Sequence, residues 1–167
     1  MVDETTGFKW TKANIKDFVT VRSDPFQFNV YDSNKNELFS GDALMFFDPE
    51  SKYIMTHSMI PLFKMAELPI YGLGGRKGSV QWPKTESETI TLWNSGTNSL
   101  HYHPFYIYKN VGGSWSGVFD LSTNAMDYNI QTNREDQNVI ISHMSTSQNL
   151  KKYIFTAPTP NEVISTY

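Results

Sequence analysis

A chain of 167 residues and 19.2 kDa suits one domain, long enough to bury roughly 70% of its unfolded surface without a disulfide or metal staple. Hydrophobic residues at 39% and charged residues at 19% exclude an intrinsically disordered polypeptide. The net charge of −3, with no Lys/Arg cluster, gives no electrostatic footprint for nucleic acid, and the absence of cysteine removes thiolate chemistry.

Aromatic residues make up 14% of the chain, which favours sheet over helix. The opening "MVDETTGFKW" lacks the apolar core of a signal peptide, and residues 1–16 are expected as a lead-in. Strand-like runs then follow closely. "FVTVR" (18–22) and "FQFNVY" (26–31) are divided by Ser23, Asp24 and Pro25, and the second alternates, with Phe26, Phe28 and Val30 on one face. "YDSNKNELF" reads as a hairpin whose polar loop is Asp32 to Asn36. "ALMFFD" (43–48), "KYIMTH" (52–57) and "PIYGLG" (69–74) come next. "ETITLW" (88–93), "PFYIYK" (104–109), "WSGVFDL" (115–121), "MDYNIQ" (126–131), "NVIISHM" (138–144) and "KKYIFT" (151–156) complete the series, each bounded by turn-forming residues. About twelve short strands with turns every 8–12 residues predict an all-β, antiparallel β-sandwich.

The last stretch, "APTPNEVISTY" (157–167), carries the signals of a helix start. Thr159 is the N-cap, Pro160 occupies a position where its missing N–H costs nothing, and Glu162 completes a capping box. The sequence stops at Tyr167, short of the ~12–15 residues an isolated helix needs in water.

Several motifs invite a chemical reading. "YGLGGRKGS" (71–79) is glycine-rich, but no helix start follows it and it lacks the Gly-Lys-Ser/Thr of a phosphate-binding loop, so a tight strand-to-loop turn is expected. His101 and His103 share one face of a strand, as a metal pair would. A zinc site wants three or four ligands, no third lies near in sequence, and His57 and His143 stand apart. No metal ligand set is therefore assigned. "WNSGTNS" (93–99) sets a Trp ring beside amide and hydroxyl groups, which is the chemistry of a sugar contact and equally of a surface turn. Asn124 and Asp127 in "STNAMD" read as a turn between strands. One such Asp is not a glycosidase, which needs two facing carboxylates.

In order, "YGLGGR", "TLWNSGTNSLHYHPFYIY", "SGVFDLSTNAMDYNI" and "KKYIFTAPTPNEVISTY" resemble the N-terminal β-sandwich domain of glycoside hydrolase family 31, the family of α-glucosidases, maltase-glucoamylase and sucrase-isomaltase. The family's forms are Tyr-Gly-Leu-Gly-Glu, Trp-Asn-Arg-Asp, His-Pro-Phe-Tyr, Gly-Val-Phe-x-x-x-Asn-Ala-Met-Asp and Pro-Thr-Pro-x-x-Val-Ile-x-x-Tyr. The resemblance implies a galactose mutarotase-like super-sandwich over residues 17–157. Residues 158–167 would then be a helix stub leading toward a (β/α)8 catalytic barrel. It further implies a retaining glycosidase whose nucleophile and acid/base are aspartates on that barrel, and the barrel motif Trp-x-Asp-Met-Asn-Glu does not occur in this chain. No catalytic residue and no cofactor is thus assigned here.

What the resemblance lends to catalysis is the Trp-Asn-Arg-Asp loop, which contacts the substrate sugar. Trp93 and Asn94 match it, whereas Ser95 stands at the Arg and Gly96 at the Asp; Gly75 also replaces the usual Glu. Losing a charged hydrogen bond to a sugar hydroxyl costs about 1.5–3 kcal/mol. The expected function is a non-catalytic domain that packs on the barrel, in the same or a separate chain, and shapes its pocket for an α-glucoside or α-glucan. The alternatives are a free-standing carbohydrate-binding module and an inert structural or assembly subunit. Family members are mostly secretory, lysosomal or of the endoplasmic reticulum. Without a signal peptide, cysteine or glycosylation acceptor in this sequence, no compartment is assigned.

Overall fold

The structure, a computed structural model, describes residues 7–11, 17–23, 26–48, 50, 53–61, 70–74, 81–82, 87–92, 103–122, 124–133, 135–146 and 151–167. Thirteen strands and one helix occur among the described residues. They are β1 (Gly7–Thr11), β2 (Phe18–Ser23), β3 (Phe26–Tyr31), β4 (Glu37–Asp48), β5 (Tyr53–Pro61), β6 (Ile70–Gly72), β7 (Gln81–Trp82), β8 (Ser87–Leu92), β9 (Phe105–Lys109), β10 (Trp115–Asp120), β11 (Met126–Asn133), β12 (Asn138–Ser145), β13 (Lys152–Ala157) and α1 (Pro160–Thr166). The larger sheet runs β1-β2-β3-β4-β5-β12-β11-β8 and the smaller β13-β10-β9-β6-β7, with every pairing antiparallel. This is the expected all-β sandwich.

Period-two patterning decides which side chains meet between the sheets. Ile90 and Leu92 of β8, Tyr128 and Ile130 of β11, and Val139 and Ile141 of β12 point inward from the larger sheet. Tyr106, Tyr108 and Val118 meet them from the smaller one, all fully buried. Each such side chain contributes about 1.5–3 kcal/mol by leaving water. Tyr108 also carries a polar tip across the core, its Oη donating to the Leu38 carbonyl at 3.0 Å. At Gly41 a Cβ would collide with the Phe28 ring, so the missing side chain lets Phe28 lie flat over β4 and stack on Phe39 at 5.8 Å.

The hairpin at 32–36 forms as its composition predicts. The Asp32 carboxylate accepts from the backbone N–H groups of Asn34 and Asn36, each at 2.8 Å, and Lys35 takes a positive φ of 66°. The run 43–48 is not a separate strand, however. It continues β4 from Glu37, and a register shift between Asp42 and Phe46 absorbs the irregularity. β1 lies within the expected lead-in and pairs with β2 along its whole length, while β7 is a two-residue strand on β6.

The helix starts where the sequence places it. Thr159 Oγ1 accepts from Glu162 N at 3.3 Å, and Glu162 Oε2 accepts from Thr159 N at 3.1 Å, closing the capping box. A helix this short persists through packing rather than propensity. Val163 is fully buried in a notch opened by Gly117, where a Cβ would lie 2.6 Å from Val163 Cγ1. Tyr167 closes the helix by stacking on Phe105, with ring centroids 4.4 Å apart and planes at 12°.

Candidate functional site

Trp93, Asn94, Ser95 and Gly96 lie outside the described residues, as do Gly75 and His101. The residues that flank their segment are described. β8 ends at Leu92, which is buried opposite Met126 of β11, itself opposite Ser145 of β12. The chain is described again at His103 and Pro104, where the Pro104 carbonyl accepts from Asp120 N at 3.0 Å. Residues 93–102 therefore join an end strand of the larger sheet to the third strand of the smaller sheet.

The turn after β6 reaches the same place. Leu73 N donates to the Phe105 carbonyl at 2.8 Å. Gly72, Leu73 and Gly74 have φ of 125°, 61° and 90°, the backbone of a tight turn, while residues 75–79 of the glycine-rich run lie outside the described residues. A Cβ at Gly72 would strike the Phe105 carbonyl oxygen, so this position needs glycine. One end of the sandwich thus gathers the 72–74 turn, residues 103–105 and Asp120.

His103 is half-buried. Its ring lies 5.2 Å from Tyr167, 6.0 Å from Phe105 and 6.4 Å from Phe119, inside the aromatic cluster under α1. Asn124 sits in the expected turn, its N–H donating to Ser122 Oγ at 3.1 Å, whereas Asp127 already belongs to β11, opposite Thr91.

Sequence reasoning missed a charged cluster in the core at this end. Asp120 closes β10 on its inward face, below Ser116 and Val118, and Lys152 stands directly opposite on β13. Lys152 Nζ lies 2.5 Å from Asp120 Oδ1, and Tyr128 Oη donates to Asp120 Oδ2 at 2.8 Å. The His143 ring stacks on Tyr128, with centroids 4.5 Å apart and planes at 7°, and places Nδ1 4.0 Å from Asp120 Oδ2. Tyr106 approaches Tyr128 edge-on at 6.3 Å. The only signal in the sequence is the inward alternation of Ser116, Val118 and Asp120, which ends on a charge.

Electrostatics follow from this geometry. Burial opposes the Asp120 charge, but the Lys152 ammonium, the neighbouring His143 and the bonds from Lys152 and Tyr128 outweigh it and hold the carboxyl below its ordinary range. Burial pushes His143 down to about 4, only partly opposed by the Asp120 charge, so the ring is neutral at pH 7. Burial also raises the Tyr106 phenol well above 10, helped by Asp120. A carboxylate so paired is a structural tie between the sheets.

No family model matches the chain. Individual proteins do. The chain is 31% identical to a probable alpha/beta-glucosidase of Arthroderma benhamiae over 169 aligned residues, covering 94% of this chain and 18% of that protein. It is 37% identical to mouse lysosomal alpha-glucosidase over 89 residues, covering 50% of this chain and 9% of that protein. Barley alpha-glucosidase is 29% identical over 158 residues, covering 89% of this chain and 16% of that protein. The chain thus spans less than a fifth of the length of these relatives. In fold it is similar to part of a Flavobacterium johnsoniae dextranase of glycoside hydrolase family 31, solved with glucose, at a TM-score of 0.69 and 19% identity over 99% of this chain and 19% of that one. No helix among the described residues is long and apolar enough to cross a membrane. The ordered motifs, the two-sheet sandwich and the glucosidase relatives agree on one assignment: the chain is a domain of glycoside hydrolase family 31.

Proposed function

We propose that this domain is the non-catalytic N-terminal β-sandwich of an α-glucosidase-type hydrolase, packing on a catalytic barrel and lending residues 93–96 to the sugar pocket. The carrying observation is the alignment that runs through 94% of this chain yet through only 18% of the fungal glucosidase. The structure supports the reading in two ways. The buried carboxylate at the loop-bearing end, Asp120, is neutralised by Lys152 and is unsuited to act as nucleophile or acid. The segment 93–102 springs from two sheets held together by a dense core, a rigid base for a binding loop.

In this role the Trp93 ring stacks on the apolar face of an α-glucoside and the Asn94 amide bonds its hydroxyls. With Ser95 and Gly96 where the family carries Arg and Asp, the contact is made by neutral groups. An immunoblot of source cells with an antibody against this domain tests the barrel: a band several-fold heavier than 19.2 kDa is expected, and a band at 19.2 kDa overturns the reading. The purified chain should release no aglycone from an aryl α-glucoside, and turnover abolishes the non-catalytic assignment.

A further inference from the structure

We propose that the core binds one water molecule between the two sheets, bridging His143 of β12, Thr56 of β5 and Tyr106 of β9. The site lies beside the Asp120 ion pair and does not depend on the function proposed above.

Four buried polar atoms point to it. Nδ1 and Nε2 of His143, Oγ1 of Thr56 and Oη of Tyr106 are shut off from solvent and have no hydrogen-bond partner among the described residues. His143 and Tyr106 are only 1% and 0% exposed. Native cores leave few such groups unpaired, because each has lost its hydration with no bond in return.

The fold gathers these atoms. Tyr128, His143 and Thr56 stand opposite one another on β11, β12 and β5, in one row across the inward face of the larger sheet. Side chains opposed in this way have Cβ atoms about 4.5–5.5 Å apart. Tyr106 meets the row from the smaller sheet, its ring edge-on to Tyr128 at 6.3 Å. Neither ring can turn away to find a partner. The stack on Tyr128, with planes at 7°, fixes the imidazole, and the Tyr106 hydroxyl sits at the tip of a rigid ring packed in the core. Asp120 Oδ2, 4.0 Å from His143 Nδ1, is beyond hydrogen-bond reach.

The chemistry of these groups selects the ligand. A neutral imidazole offers one donor and one acceptor, and each hydroxyl can act as either. A cation would meet the Lys152 ammonium and an anion the Asp120 carboxylate, which leaves a small neutral molecule. Water donates and accepts at once, and a buried water makes about three hydrogen bonds, one for each of these side chains.

Urea unfolding of the whole chain tests this in Thr56→Val, Tyr106→Phe and the double variant, each substitution removing a hydroxyl while nearly keeping its shape. Each should lower the folding equilibrium constant by about fivefold. Together they should lower it by less than the product of the two, because both hydroxyls hold the same molecule. A constant that is unchanged or raised means that the hydroxyls were unpaired, and overturns the proposal. Losses that multiply independently also overturn it, since they mark two separate bonds. Cross-relaxation in the parent chain, from the water resonance to the carbon-bound protons of the His143 ring, supplies a measurement that needs no variant. A signal with the sign of a long-lived bound water is expected, and its absence overturns the proposal.

Discussion

Acid should weaken this domain through one residue. The His143 ring is about 1% exposed, and burial brings it from its ordinary value of 6.5 down to about 4 in the folded chain. Between those values the unfolded chain binds a proton that the folded chain refuses, so stability falls as pH drops through this window and is level above it. A difference of about 2.5 units corresponds to about 3–4 kcal/mol, at about 1.4 kcal/mol per unit. Asp120, also held low, loses its contribution only as pH falls below its ordinary 3.8, which keeps the two windows apart. His143→Phe preserves the stack on Tyr128 and removes the titration. Urea unfolding of both proteins from pH 7.5 to 4.5 should show the parent losing about 2–3 kcal/mol relative to the variant. The other histidines are common to both chains and cancel. Parallel pH profiles would refute the reasoning, because they mean that His143 carries its charge in the folded core.

Three further outcomes follow from the packing. Gly117→Ala forces a methyl group against Val163 and the Phe105 ring, and should cost about 1–3 kcal/mol by denaturant unfolding while undocking the Tyr167 ring in its fluorescence. Thr159→Ala removes the acceptor for Glu162 N and should cost about 1 kcal/mol; an unchanged midpoint would mean that α1 does not depend on its cap. Lys152→Met alone leaves Asp120 charged and unpaired in the core and should cost about 3–5 kcal/mol, more than the double substitution with Asp120→Asn, which removes both charges.

The strands legible in the sequence are those whose two faces differ in solvent exposure. In β8, Ile90 and Leu92 are buried between exposed Thr89 and Thr91, so period two is plain. α1 was legible from Thr159, Pro160 and Glu162 because capping is local chemistry. β4 was not, because Gly41 and Asp42 look like a break and the partner strand that carries the chain past them lies elsewhere in the sequence. The same holds for β7, which exists only through its pairing with β6. Asp120, Tyr128, His143 and Lys152 sit on four different strands, and only the facing of two sheets reveals them as one cluster. Trp93 to Gly96 rest on family motifs, since neither periodicity nor spacing distinguishes a sugar contact from a turn.

The strand order has a consequence for how the chain is made. β1 to β5 form an unbroken meander that can pair as it emerges, but the neighbour that completes β5 is β12, in the register Pro61 with Asn138 and Ile54 with Ser145. Roughly 80 residues, or several seconds at ~5–20 residues per second, separate the synthesis of that edge from the arrival of its partner. For that interval the half-made sheet presents the unpaired edge of "YIMTHSMIP" as an open template for other chains. Pro61, which has no N–H to offer, blunts one end of it. Yield during rapid expression should therefore depend on translation speed between Pro61 and Asn138.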